Sequence, residues 1–210
     1  MDYATIQGYL ERLVPPRPAE LAKMETYAAE HDFPIIGPVA GQLCYQTARL
    51  IGARRIFELG SGYGYSTAWF ARAVAESGGG GEVHHVVWDE TLSAMARVHL
   101  AFLGYAKIVR YHVGEAVAAL RAADGPFDLI FMDIDKQGYP DALPVIDEKL
   151  RPGGVLIVDN VLWSGKIADA QIGDATTQAI RHMNEHLATH AKYVTTISPV
   201  RDGVLIAQKI

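Results

Sequence analysis

The sequence predicts a doubly wound α/β fold, on three observations. Short apolar runs alternate with amphipathic stretches of helical period from residue 54 onward. Two of the runs, FDLIFM and GVLIV, are apolar almost throughout. That composition marks strands covered on both faces, as in parallel sheets. The last two runs break the alternation, because only a short turn, residues 199–202, separates them. A parallel crossover needs a dozen or more residues, so this pair is expected as an antiparallel hairpin.

The elements follow in order. Residues 2–14 and 18–31 read as helices, separated by Pro15-Pro16, with Pro18 suited to a first helical position. A third helix, 38–51, stops at Gly52. Strands are expected at 54–59, 82–87, 107–112, 127–132 and 154–158, and helices at 64–76, 90–103, 115–122, 139–150 and 176–190. The closing strands are 193–198 and 203–208. Gly78-Gly79-Gly80-Gly81 reads as a loop. With 210 residues, half of them hydrophobic, one domain is expected, comprising N-terminal helices (1–52) and an α/β core (53–210).

Composition narrows the function classes. The net charge is −5 and no basic run is present, which argues against nucleic acid as a partner. No stretch approaches the ~20 apolar residues of a membrane span. The opening segment MDYATIQGYLERLVPP carries acids and no apolar core of signal-peptide length, so a cytoplasmic protein is expected. The single cysteine, Cys44, lies in an apolar-periodic stretch and reads as core.

Two constellations carry chemistry. The strand RRIFEL runs into Gly60-Ser61-Gly62-Tyr63-Gly64 and then a helix. Glycines permit a sharp turn and close approach to a ligand, and the helix start offers free N–H groups. The spacing is G-x-G-x-G, not the G-x-G-x-x-G of dinucleotide sites, which weakens a nicotinamide reading. A ligand-free tight turn remains the competing interpretation. The second constellation is Asp133, after FDLIFM, with Asp159-Asn160, after GVLIV. Neighbouring strands lie ~4.8 Å apart, so two carboxylates and an amide oxygen would converge. That donor set suits a hard cation, Mg²⁺ or Ca²⁺, and without His or Cys it does not suit zinc. Lys136, three residues after Asp133, is a proton acceptor or a simple ion-pair partner.

FELGSGYGYSTAWFARA, FDLIFMDIDKQGYPDAL, LRPGGVLIVDNVLWSGKI and DGVLIAQK occur in this order. Over residues 33–210 the chain resembles the cation-dependent O-methyltransferases, which include the catechol and caffeoyl-CoA enzymes. The resemblance implies a Rossmann-like domain of seven strands, the last antiparallel, with helices on both faces. It implies S-adenosylmethionine as methyl donor and a small aromatic acceptor with adjacent hydroxyls. Asp133, Asp159 and Asn160 match the metal ligands and Lys136 the general base. Glu58, Gly60, Gly62, Gly64 and Ser66 fall in the cofactor turn. Ile36-Gly37 match a backbone contact to the cofactor, Ala116 an adenine contact with Ile134 nearby, and Trp163 the acceptor border. A homodimer is expected.

One position departs from the family. The second strand normally ends in a glutamate that binds both ribose hydroxyls, and Val87 stands there. Asp89, two residues on, is a candidate substitute. An unmade ribose contact costs on the order of 1–3 kcal/mol. Two other readings stay open: a methyltransferase-fold binding protein without turnover, and an NAD-dependent oxidoreductase. His84 and His85 point to opposite strand faces and read as structural. His182 and His186, four apart on a helix, read as solvated or core rather than as metal ligands.

Overall fold

The structure is a computed structural model that describes residues 3–78 and 80–210. The expectations that touch Asp2 and Gly79 lie outside the described residues. Three helices lead the chain: α1 (Tyr3–Leu13), α2 (Ala19–Glu30) and α3 (Gly37–Leu50). Strand and helix then alternate through β1 (Arg55–Leu59), α4 (Tyr65–Ala75), β2 (Glu82–Val87), α5 (Glu90–Phe102), β3 (Val109–Val113), α6 (Ala116–Ala122), β4 (Phe127–Met132), α7 (Tyr139–Lys149) and β5 (Leu150–Asp159). Helix α8 (Ala175–Thr189) and strands β6 (Tyr193–Ser198) and β7 (Val204–Lys209) complete the chain.

The seven strands form one sheet in the order β3-β2-β1-β4-β5-β7-β6. Pairs among β1 to β5 are parallel, and β7 runs antiparallel to both of its neighbours. The hairpin is as expected, with one addition: β7 inserts between β5 and β6 rather than forming the edge. The two short 3-10 turns at Lys136–Gly138 and Trp163–Ala168 have no clear sequence signal. Strand β5 is longer than expected because Arg151-Pro152-Gly153-Gly154 bulges while staying in the sheet; its register against β4 shifts between Phe127 and Leu129.

The continuous apolar runs are explained by alternation between two cores. Ile56, Leu129, Phe131, Val155 and Ile157 pack under α2 to α5. Phe57, Leu59, Ile130, Met132, Leu156 and Val158 pack under α6 to α8. Successive side chains of a strand point to opposite faces, so a sheet covered twice needs apolar residues at every position. Cys44 is buried in the first core, and burial pushes its thiol up.

Three polar residues inside this core bond to one another. The Thr67 hydroxyl donates to Glu58 Oε2 at 2.5 Å and lies 3.1 Å from His85 Nδ1. Glu58, Thr67 and His85 thus form one buried hydrogen-bonded chain. Burial, and then the charges of Arg97 and His112, lower the His85 pKa to about 3. His84 stacks on His112 at 5.1 Å, so both strand histidines are structural.

The sign of the His85 effect follows directly. An imidazole depressed in the folded state stabilises above its unfolded pKa, near 6.5, and that stability is lost as pH falls toward 3. His85→Gln is therefore expected to flatten the stability profile between pH 6.5 and 3 relative to wild type, as measured by denaturant unfolding. Parallel profiles would show that His85 is not held neutral.

Candidate functional site

The sheet reverses its winding between β1 and β4, and ligands of open α/β sheets bind beyond the strand ends at such a point. The chain leaves β1 into Gly60, where φ is +86°. A Cβ on Gly60 would lie 2.2 Å from the Asp133 carbonyl oxygen, so only glycine lets the two strand ends meet. The Asp133 amide donates to the Leu59 carbonyl at 2.8 Å and joins them. Ser61 ties the turn to β2: its amide donates to the Val86 carbonyl at 2.9 Å, and its hydroxyl accepts from the Val86 amide at 3.0 Å.

One part of the cleft is bordered by Ile36, Gly60, Gly62, Ser66 and Asp133, together with Phe33 and Tyr63. A second part, about 290 Å³, has Ala116, Ile134 and Asp135 on its walls, with Trp88 at its edge. A third brings Asp133, Lys136, Asn160 and Trp163 together. The expected turn, adenine-side and acid-cluster residues thus share one end of the sheet.

Four expected cofactor residues do not line these walls. Glu58 is fully buried beneath the turn and reaches it through Thr67. Burial pushes its carboxyl up to about 7, against the hydroxyls of Ser66, Thr67 and Ser61 and with the help of the Asp133 charge. Gly64 starts α4 in the left-handed region and packs against Ala96 and Leu100. Gly37, also left-handed at φ +68°, opens α3. Asp89 caps α5, accepting from the Leu92 amide at 2.9 Å, so the proposed substitute for a ribose ligand is engaged elsewhere. Trp88, 71% exposed beside the second cavity, is a residue that sequence reasoning passed over.

At the acid cluster, Lys136 is buried and its Nζ lies 3.2 Å from Asp133 Oδ1. Asp159 is 1% exposed. Its Oδ2 accepts from Arg201 at 2.9 Å, and its Oδ1 is buried without a hydrogen-bond partner. Burial and then the Asp133 charge raise its carboxyl above the usual range, while Arg201 and Lys136 oppose them. Asn160 follows with φ +60°. The unpartnered Asp159 oxygen, the nearby Asp133 and the Asn160 amide are hard oxygen donors, a set that fits a divalent cation. Among the described residues, no group of three or more His, Cys, Asp or Glu suits a metal ion, so the candidate set depends on the amide.

Arg201, which sequence reasoning missed, sits in the loop between β6 and β7. It borders a cavity of about 730 Å³ with Tyr3, Gln7, Asn160 and Leu162. Tyr3 donates to the carbonyls of Pro199 and Arg201, and the Arg201 amide donates to Gln7 Oε1 at 3.2 Å. Helix α1 thereby pins the loop beside Asn160. No helix among the described residues is long and apolar enough to cross a membrane.

A family model described as O-methyltransferase matches residues 18–210. The chain belongs to the O-methyltransferase family. Similar family members include a catechol O-methyltransferase of Niastella koreensis, 29% identical over 93% of this chain and 90% of that protein. Another, from Mycobacterium tuberculosis, is 34% identical over 75% of this chain and 72% of that protein. Among solved O-methyltransferase structures, TomG of Streptomyces achromogenes, involved in tomaymycin synthesis and in complex with S-adenosylmethionine, is 31% identical. It superposes with a TM-score of 0.85 over 98% of this chain and 96% of that one. The O-methyltransferase of Bacillus cereus, in complex with S-adenosylhomocysteine, has a TM-score of 0.87 at 28% identity, over 98% of this chain and 97% of that one.

The junction of Gly60 and Asp133 can be tested against a matched control. Gly60→Ala combines positive φ with overlap on backbone and is expected to lower stability by roughly 2–4 kcal/mol. Gly52→Ala, with φ +60° and no atom within 4 Å of its added Cβ, should cost about 1 kcal/mol. Equal losses in denaturant unfolding would show that the Asp133 carbonyl does not constrain position 60.

Proposed function

We infer that this S-adenosylmethionine-dependent O-methyltransferase methylates a hydroxyl of a small aromatic acceptor bearing two adjacent hydroxyls. The observation that carries the reading is the placement of Asp133, Lys136, Asn160 and Trp163 around one cavity, directly beside the glycine turn. The turn supplies the donor side, bordered by Ile36, Gly60, Gly62 and Ser66, with Ala116 and Ile134 toward adenine. Trp163 offers an aromatic face to the acceptor.

The reaction is an in-line displacement in which an acceptor oxygen takes the sulfonium methyl and the thioether leaves. Phenols have a pKa of ~10, so the hydroxyl must lose its proton for the oxygen to attack well at neutral pH. Lys136, in its neutral form, is placed to receive that proton at Nζ. A divalent cation bound by Asp133, Asp159 and Asn160 would supply Lewis-acid stabilisation of the phenolate and a fixed geometry for both oxygens. Holding oxygen and methyl in line contributes proximity and orientation.

A screen of catechols and hydroxycinnamoyl thioesters for methyl transfer, with and without Mg²⁺, tests the acceptor class. Transfer to vicinal diols and not to isolated phenols is expected; no transfer to any diol would overturn the assignment. Lys136→Ala is expected to lower kcat at least 100-fold while leaving S-adenosylmethionine affinity within threefold, because the lysine faces the acid cluster rather than the turn. Full turnover at neutral pH would remove Lys136 as base.

Val87 ends β2 where a ribose-binding acid is expected, and its carbonyl accepts from Gly114 at 3.0 Å, which fixes the strand end. Restoring the acid, Val87→Glu, is expected to tighten S-adenosylmethionine binding about 10- to 100-fold by calorimetry, the equivalent of ~1.4–2.7 kcal/mol. Unchanged affinity would mean that ribose is held by other groups in this chain.

A further inference from the structure

Arg201 is an unusual residue in an unusual place. Its φ is +54°, in the left-handed region that favours glycine. The guanidinium nevertheless reaches Asp159 Oδ2 at 2.9 Å, and the carboxylate it meets is almost wholly buried. Breaking an ion pair to a buried carboxylate leaves an uncompensated charge, so the contact is strongly held. The loop carrying Arg201 is fixed on both sides. Helix α1 bonds its backbone through Tyr3 and Gln7. Asp202 accepts from the Ser164 amide at 2.5 Å, and the Leu162 amide donates to the Asp202 carbonyl at 2.9 Å.

The charge balance of the cluster follows. Asp133 and Asp159 bring two negative charges. Lys136 faces the first and Arg201 the second. Asp159, one of the two acids that would attract a divalent cation, is therefore already paired with a resident guanidinium before any ion arrives. A guanidinium is always charged at working pH and cannot deprotonate to make room.

We propose that Arg201 is a resident positive charge at the acceptor end of the cleft, competing with a divalent cation for Asp159 and taking over part of its work on the acceptor oxygen. The inference rests on the acceptor site described above and adds to it. Arg201 borders a cavity that shares Asn160 with the acceptor cavity, so an acceptor that extends past Asn160 would meet its remaining N–H groups. The chain then carries the acid–acid–amide motif of a cation site with a lowered demand for the cation.

Direct Mn²⁺ titration, read by the electron paramagnetic resonance signal of the free ion, tests the competition without any turnover. At an effective dielectric of ~20, removing one positive charge roughly 5 Å from a divalent ion changes its affinity by well over a decade. Arg201→Gly, which suits the positive φ, and Arg201→Gln, which keeps side-chain bulk, are both expected to bind Mn²⁺ at least tenfold more tightly than wild type. Arg201→Lys, which keeps the charge, is expected to stay within threefold of wild type. Equal Mn²⁺ affinity in all four proteins would overturn the proposal.

A second arm uses turnover. After exhaustive chelation, wild type is expected to keep more than half of its methyl transfer to a catechol. Arg201→Gly is expected to lose at least tenfold and to regain activity with Mg²⁺. Loss of wild-type activity on chelation would overturn the claim that Arg201 substitutes for the ion. Should no catechol be methylated by any of the proteins with or without Mg²⁺, the acceptor assignment fails, and the Mn²⁺ titration alone decides the role of Arg201.

Discussion

The site depends on the contact between the ends of β1 and β4. Glycine at position 60 lets the first strand turn against the Asp133 carbonyl, and the Asp133 amide bonds the Leu59 carbonyl at 2.8 Å. This junction lies at the switch point of the sheet, where the crossovers before and after it lead to opposite faces. The same few atoms therefore set the glycine turn, the start of the acid cluster and the distance between them. A methyl donor in the turn and an acceptor oxygen at the acids must lie in line to react, and the junction fixes both sides of that geometry.

Around the junction, polar groups replace packing in a defined order. Glu58 lies directly below the turn and takes the Thr67 hydroxyl, which in turn takes His85. Ser61 binds both polar groups of the Val86 backbone. These bonds are shielded from water, where hydrogen bonds are electrostatically stronger and unpaired groups are costly. They hold the turn in place from beneath, leaving its upper surface to a ligand. Glu58 is fully buried beneath the turn and bonds to Thr67.

The fold was largely legible in the sequence because its signals are local and redundant. The inner strands β4 and β5 carry apolar runs, LIFM and VLIV, since each faces two helical layers. The short turn after β6 excluded a parallel connection. The insertion of β7 between β5 and β6 was not legible, because hydrophobicity at alternate positions specifies a face and not a neighbour. The acid cluster was legible as two strand ends with oxygen side chains. The cap made by Asp89 was not read from the sequence, because strand parity drew attention to a ligand, whereas an aspartate just before a helix binds the free amides of its first turn. Arg201 was missed for a different reason. Its partner, Asp159, is 42 residues away, and the hairpin that joins them registers Asp159 against Val204. Only the strand pairing brings that loop to the cluster.

That pairing also brings a loop residue to the chemistry of a distant motif. Asp133, Lys136, Asp159 and Asn160 come from the ends of β4 and β5 and the turns that follow them. A guanidinium beside Asp159 changes what those residues experience without displacing any of them. A divalent ion is attracted by negative charge, and the guanidinium paired with Asp159 offsets part of it. The acceptor phenolate, by contrast, needs only a positive partner within hydrogen-bond reach, and a guanidinium meets that need with directional N–H donors. The two demands on the site, holding an ion and stabilising an oxyanion, are separable in physical terms. In the role proposed for it, Arg201 is the group that separates them.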